Sequence, residues 1–182
     1  MKLETDLARI LELAKEKEAE NQAFRVHIRR CSITPEEIDG IVHRLSGIVS
    51  SKIDCRTCAN CCRELYPALS RRDIARLAQA VGVTPDVLAH TYLKEVEEKG
   101  KFVPTQKPCP FLQDKLCRYY HSRPESCVDF PFLYRPDFAT HSVMALWNLP
   151  YCPIVYNVYE LLKAEIAELE MLRRSAKEED LE

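Results

Sequence analysis

Apolar residues near the start of the chain fall at Leu3, Leu7, Ile10, Leu11 and Ala14, then at Phe24 and Ile28, among many Glu and Lys. Steps of three and four line one face of a helix, so the pattern predicts an amphipathic helix over 3–28. A second apolar set, Ile38, Ile41, Val42, Leu45, Ile48 and Val49, follows Thr34-Pro35-Glu36-Glu37. There Thr34 is an N-cap, Pro35 fits the first turn and Glu37 completes a capping box, so a second helix is predicted to run into a cluster of cysteines. Ser70-Arg71-Arg72-Asp73 caps a third helix carrying Ile74, Leu77 and Val81. Gly82 stops it, since glycine accepts the left-handed backbone of a helix end. Thr84-Pro85-Asp86 starts a fourth helix, expected to end near Gly100.

From Lys101 to Pro153 the periodicity fails. Pro104, Pro108, Pro110, Pro124, Pro131, Pro136, Pro150 and Pro153 all lie there, which predicts an irregular, loop-rich region with no strand pair. A loop of that length needs cross-links, and its cysteines are the candidates. The helical pattern returns with Val155, Val158, Leu162, Ile166, Leu169 and Leu172, followed by an acidic tail of Glu178, Glu179, Asp180 and Glu182. The expected fold class is mainly α: a small helical domain with an irregular cysteine-rich, metal-stapled centre and long N- and C-terminal helices. The expected organisation is an N-terminal amphipathic helix over 1–30, a cysteine-cluster domain over 31–153, and a C-terminal helix with acidic tail over 154–182. A chain of 182 residues is long enough for one such core.

The formal net charge of −2 supplies no basic field for a nucleic acid or an anionic membrane, so neither is an expected partner. Glu4 and Asp6 interrupt the place where a secretory signal needs an apolar run, and no stretch reaches membrane-spanning length. A soluble cytoplasmic protein is expected. Nine cysteines in a reducing compartment then point to metal ligation rather than disulfides.

The dense feature is Cys55, Cys58, Cys61 and Cys62 within eight residues, followed by Cys109, Cys117, Cys127 and Cys152. Two-residue gaps let successive thiolates turn toward one centre, and eight thiols match two four-ligand sites in number. Adjacent Cys61 and Cys62 are expected to diverge, and so to serve two centres or to leave one as a packing residue. Three cysteines in a short run with a distant Cys-Pro, as in Cys109-Pro110 and Cys152-Pro153, favour iron-sulfur over zinc or mononuclear iron. Four thiolates around a doubly charged ion or cluster leave a charge of about −2. Arg56, Arg63, Arg118, Arg123 and Arg135 are available to offset it. His121 is the histidine placed to ligate, with a surface role the stronger expectation, and Cys31 is expected to pack rather than ligate.

The cysteine run, Pro108-Cys109-Pro110-Phe111-Leu112, Cys117-Arg118-Tyr119-Tyr120 and Arg123-Pro124-Glu125-Ser126-Cys127-Val128-Asp129-Phe130-Pro131 together resemble the YkgJ-type cysteine-cluster family over roughly 50–155. The resemblance implies a zinc- or iron-chelating domain. Through the same kind of cysteine block the chain is also similar to flagellin lysine N-methylases, which implies a metal-dependent enzyme related to protein lysine methylation. The expected function is a metal-binding protein with one or two cysteine-ligated centres, in electron transfer or as an accessory factor. One rival is a structural zinc module for protein-protein interaction, with a protein partner or a homodimer formed through the terminal helices. The enzyme rival needs a pocket lined by Tyr119, Tyr120, Tyr134, Trp147 or Tyr151, although such aromatics are expected mostly in the core.

Overall fold

The computed structural model describes residues 2–98 and 100–179. In chain order the elements are α1 (Leu7–Glu16), α2 (Glu18–Ile28), α3 (Pro35–Ser50), α4 (Cys55–Cys58), α5 (Asn60–Glu64), β1 (Leu69–Ser70), α6 (Arg71–Val81), α7 (Pro85–Tyr92), β2 (Leu93–Glu95), β3 (Lys101–Pro104), β4 (Leu112–Gln113), β5 (Leu116–Cys117), a 3-10 turn (Tyr120–Ser122), α8 (Glu125–Asp129), α9 (Phe138–Asn148) and α10 (Pro153–Glu179). The fold is mainly helical, as the periodicity predicts. The chain forms two compact units, one made of Met1–Ile53 with Pro131–Glu182 and the other of Asp54–Phe130. Among the described residues no helix is long and apolar enough to cross a membrane.

The first unit is all helix. Where one helix is expected over 3–28 there are two, divided at Lys17. The apolar stripe lapses between Ala14 and Phe24, where the buried residue is the polar Asn21. Tyr159 on α10 lies against both the backbone and the aromatic face of α2. Its hydroxyl donates to the Asn21 carbonyl at 3.1 Å, and its ring meets Phe24 edge-on with centroids 5.3 Å apart. Asn157 grips the entering chain both ways, accepting from the Glu4 N–H at 2.9 Å and donating to the Glu4 carbonyl at 2.7 Å. The terminal helices thus pack against each other within the chain. Val155, Val158, Tyr159, Leu162 and Ile166 bury one stripe of α10, and Ile38, Val42, Leu45 and Val49 bury the facing stripe of α3. Of the acidic tail, Glu178 and Glu179 end α10, while Asp180 and Glu182 lie outside the described residues.

The helix α9 corrects the expectation of an irregular stretch up to Pro153. Its first turn is capped from a distance: the Asp39 carboxylate on α3 accepts from the N–H of Asp137 at 2.7 Å and of Phe138 at 2.8 Å. Two orphan donors of the helix start are therefore satisfied by a residue 98 and 99 positions away. Trp147 and Tyr134, expected in the core, are 68% and 59% exposed.

The second unit corrects the expectation of no strand pairing. β1, β3 and β2 form an antiparallel sheet in that order, with Leu93 opposite Pro104 and Leu69 opposite Phe102. The fourth helix ends at Tyr92 rather than near Gly100, because Leu93 turns to extended backbone and enters this sheet. Ser70 and Asp73 form a capping box at the start of α6, and Gly82 ends it at φ 85°. The unit's core is Leu69, Ile74, Leu77, Ala78, Leu88, Leu93 and Phe111, with Cys109, Cys117 and Tyr119 packed against its edge.

Candidate metal centre

The cysteine run folds as two short helical turns. Asp54 caps α4 by accepting from the Arg56 N–H at 2.9 Å, and its carboxylate also pairs with the Arg56 guanidinium. Ala59 then takes a left-handed backbone at φ 54°, which costs a non-glycine residue about 1–2 kcal/mol, and α5 begins. Cys55 is exposed, and Cys58, Cys61 and Cys62 are half-buried. Within α5 the sulfurs of Cys61 and Cys62 lie 4.0 Å apart. Side-chain rotation thus brings the two sulfurs near each other despite the angular offset of neighbouring Cα–Cβ bonds.

Cys109 and Cys117 flank a small hairpin. β4 and β5 pair antiparallel with Leu112 opposite Cys117, and Arg118 N–H extends the ladder to the Phe111 carbonyl at 2.9 Å. Phe111 anchors the hairpin in the core, its ring 5.3 Å from Tyr92 and 6.0 Å from Tyr119. The N–H of Cys109 donates to the Cys62 carbonyl at 2.8 Å, which joins the hairpin to α5. Cys127 sits on α8, and the neighbouring Ser126 hydroxyl ties that helix to the Ala68 carbonyl at 2.7 Å.

Cys62, Cys109, Cys117 and Cys127 are close enough to feel one another's charge. A hydrogen bond with Cys61, then burial and the Cys61 charge, push Cys62 far above the ordinary thiol range, against the pull of Arg123 and Arg63. Burial pushes Cys109 up to about 11, with further rises from Cys62 and Cys117, while the N–H groups of Phe111 and Leu112 oppose the shift. Cys117 is raised by burial and by Cys62, with the Tyr119 N–H and Arg123 acting the other way. Burial pushes Cys127 up to about 12, and Cys62, Cys109 and Cys117 all add to it. A soft cation would relieve both the burial and the mutual repulsion. The donor set therefore fits a thiophilic metal. Among the described residues no three His, Cys, Asp or Glu side chains yet meet at one coordinating point.

A polar clamp organises the segment that carries Cys127. Asp73, only 3% exposed, accepts from the Ser70 N–H at 3.0 Å, the Ser70 hydroxyl at 2.7 Å, Arg76 at 2.7 Å and the Glu125 N–H at 3.0 Å. Burial opposes its ionisation, but these donors outweigh that and hold its carboxyl below the usual range. Arg76 also donates to the Arg123 carbonyl at 2.7 Å. Sequence reasoning treats Asp73 only as a helix cap. The capping box is its one local signal, and the contacts with Arg123 and Glu125 are tertiary.

Cys152 is buried in the helical unit just before α10, its N–H bonded to the Asn148 carbonyl at 2.9 Å. Cys31 makes weak thiol contacts to the carbonyls of Ile28 and Ile33. His121 stands edge-on to Tyr120 at 5.8 Å. Tyr119 packs on the hairpin, and Tyr120 lies under Arg123. Residues 54–153 match the CxxCxxCC family, described as "Putative zinc- or iron-chelating domain". No curated protein and no solved structure matches the chain.

Proposed function

Because the chain belongs to the CxxCxxCC family across more than half its length, we propose that residues 54–130 hold one mononuclear zinc or iron ion on Cys62, Cys109, Cys117 and Cys127. The observation that carries this reading is that four partly buried thiols lie in one unit, with the Cys109 N–H bonded to the Cys62 carbonyl at 2.8 Å. Bound there, zinc would cross-link α5, the hairpin and α8, and iron would add a one-electron couple. The chain's own contribution is to bring four thiols together and keep them protonated until metal arrives. Ligation releases those protons, so loading is pH-dependent.

The second reading is an iron-sulfur cluster. It is favoured by the seven cysteines of this unit, Cys55, Cys58, Cys61, Cys62, Cys109, Cys117 and Cys127, which exceed the needs of one ion. Anaerobic purification with metal and acid-labile sulfide analysis separates the two. One ion per chain without sulfide supports the mononuclear centre, sulfide in proportion to iron supports the cluster, and absence of both metals under anaerobic loading overturns each.

A further inference from the structure

We propose that the lysine-bearing face of the β1-β3-β2 sheet is a docking surface for a short, extended acidic segment of a partner protein. Resting on the four-thiolate reading, this surface seats the partner beside the metal centre. The two faces of the sheet differ. Leu69 opposite Phe102 and Leu93 opposite Pro104 place those four residues on one face, where Leu69 and Leu93 join the unit's core and Phe102 packs against it. Successive strand residues point to opposite faces, so Lys94, opposite Val103, and Lys101, opposite Ser70, lie on the other.

Tyr66 joins a third lysine to this face. Its ring, 47% exposed, has the Lys94 ammonium 5.9 Å and the Lys107 ammonium 4.7 Å from its centroid. An anionic group arriving at that ring meets two cations whose positions the ring restrains. Among the described residues no carboxylate pairs with Lys94, Lys101 or Lys107. Glu95, the acid within β2, shares the core-side face with Phe102 and accepts from the Gly100 N–H at 2.9 Å.

Spacing and charge select the occupant. Lys94 and Lys101 are diagonal neighbours across two strands, a separation of about 7–8 Å. Side chains two apart on an extended chain repeat at about 7 Å, so carboxylates at alternate positions match them. The net charge of −2 disfavours a long polyphosphate, whose field reaches the whole chain, over a short segment that meets this face alone. Tyr66 follows Cys62 by four residues and Lys107 precedes Cys109 by two, while the Cys109 N–H donates to the Cys62 carbonyl at 2.8 Å. The same two segments therefore carry docking groups and two candidate ligands.

The test titrates the full chain, supplied with Zn(II), with a synthetic peptide of about nine residues that has aspartate at every second position, and follows backbone amides by NMR. Saturable shifts at Lys94, Lys101 and Lys107 below about 1 mM peptide are expected, weakening as salt is raised. Lys94→Gln and Lys107→Gln should each lower affinity about 3-fold, as for exposed ion pairs. Tyr66→Leu should do the same by releasing the lysines, and Tyr66→Phe, which keeps the ring, should match the parent. Absence of saturable shifts at those amides by about 1 mM overturns the docking surface, as do lysine variants within about 1.5-fold of the parent. Tighter binding of an oligothymidylate of similar length overturns the choice of a protein partner, and an unaffected Tyr66→Leu overturns the role of the ring. Replacing Zn(II) by Co(II) should broaden the peptide's own proton signals, and binding without broadening overturns the placement beside the centre. A Co(II)-supplied chain without thiolate-to-cobalt bands overturns the four-thiolate reading, while the amide titration still decides the docking.

Discussion

The backbone N–H of Cys109 donates to the carbonyl oxygen of Cys62 across 2.8 Å, joining two candidate ligands that are 47 residues apart before any ion is involved. The join is local. Between residues 105 and 130 only Phe111 and Pro124 are buried, so this segment has little apolar surface to hold it. Metal ligation at structural thiolate sites supplies about 10 kcal/mol of folding free energy. Removing the metal is therefore expected to accelerate hydrogen exchange in 105–130, while α3 and α10, with their continuous apolar stripes, keep their protection. Unchanged exchange in 105–130 after verified metal removal would show that the segment stands without an ion.

Asp73 gives the metal-binding unit an acid limit. Its carboxyl is held below its ordinary value of 3.8, so it binds a proton less readily folded than unfolded. The stability this contributes is fully present above the unfolded pKa and is lost as pH falls through the folded one. The metal-free chain should thus lose stability in α6 from about pH 4 downward. Asp73→Asn, which accepts fewer hydrogen bonds and leaves Arg76 unpaired, should cost about 3 kcal/mol at neutral pH and flatten that acid dependence. Chemical denaturation at a series of pH values, read by exchange of α6 amides, measures both. An unchanged slope in the variant would remove Asp73 from the account.

Asp39 is expected to matter to a helix it does not belong to. Its carboxylate satisfies the first two N–H groups at the start of α9, so Asp39→Ala leaves them without an acceptor. The loss should be about 2 kcal/mol, at the upper end for an N-cap because both donors depend on one side chain. Exchange of the Asp137 and Phe138 amides should accelerate before that of α3. Equal acceleration throughout α3 and α9 would instead mean that the substitution disrupts packing.

That contact also shows what a local pattern can carry. Thr34 with Glu37 and Ser70 with Asp73 are capping boxes readable from four consecutive residues, and Gly82 ends its helix as a glycine should. The start of α9 has no such box. Asp137 caps it from a left-handed backbone, accepting from the Thr140 N–H at 3.4 Å, and its stripe includes buried Ser142, so the pattern is harder to read. The strands have two to four residues, too few for an alternating pattern to emerge. Cysteine spacing makes the run from Cys55 to Cys62 legible as a metal motif. It does not say how that run is placed against the segments that carry Cys109, Cys117 and Cys127, because the hairpin and the Asp73 clamp are tertiary. Trp147 lies on the surface because its face of α9 is unburied, which residue type does not reveal.

The last prediction separates the neighbours Cys61 and Cys62. Their sulfurs are 4.0 Å apart, and of the two it is the Cys62 charge that stands among the leading influences on Cys109, Cys117 and Cys127. A serine oxygen is a poor ligand for a soft ion, so Cys62→Ser should lose the bound metal or weaken it by at least about 100-fold. In Cys61→Ser the four-thiolate set is intact. That variant should keep one ion per chain, and with the Cys61 thiol no longer raising the proton affinity of Cys62, it should load at a lower pH than the parent. Metal content and loading pH, measured on both variants prepared together under anaerobic conditions, decide the matter. Equal metal loss from the two would mean that Cys61 is itself a ligand, and full retention in Cys62→Ser would move the centre onto the other thiols of the run.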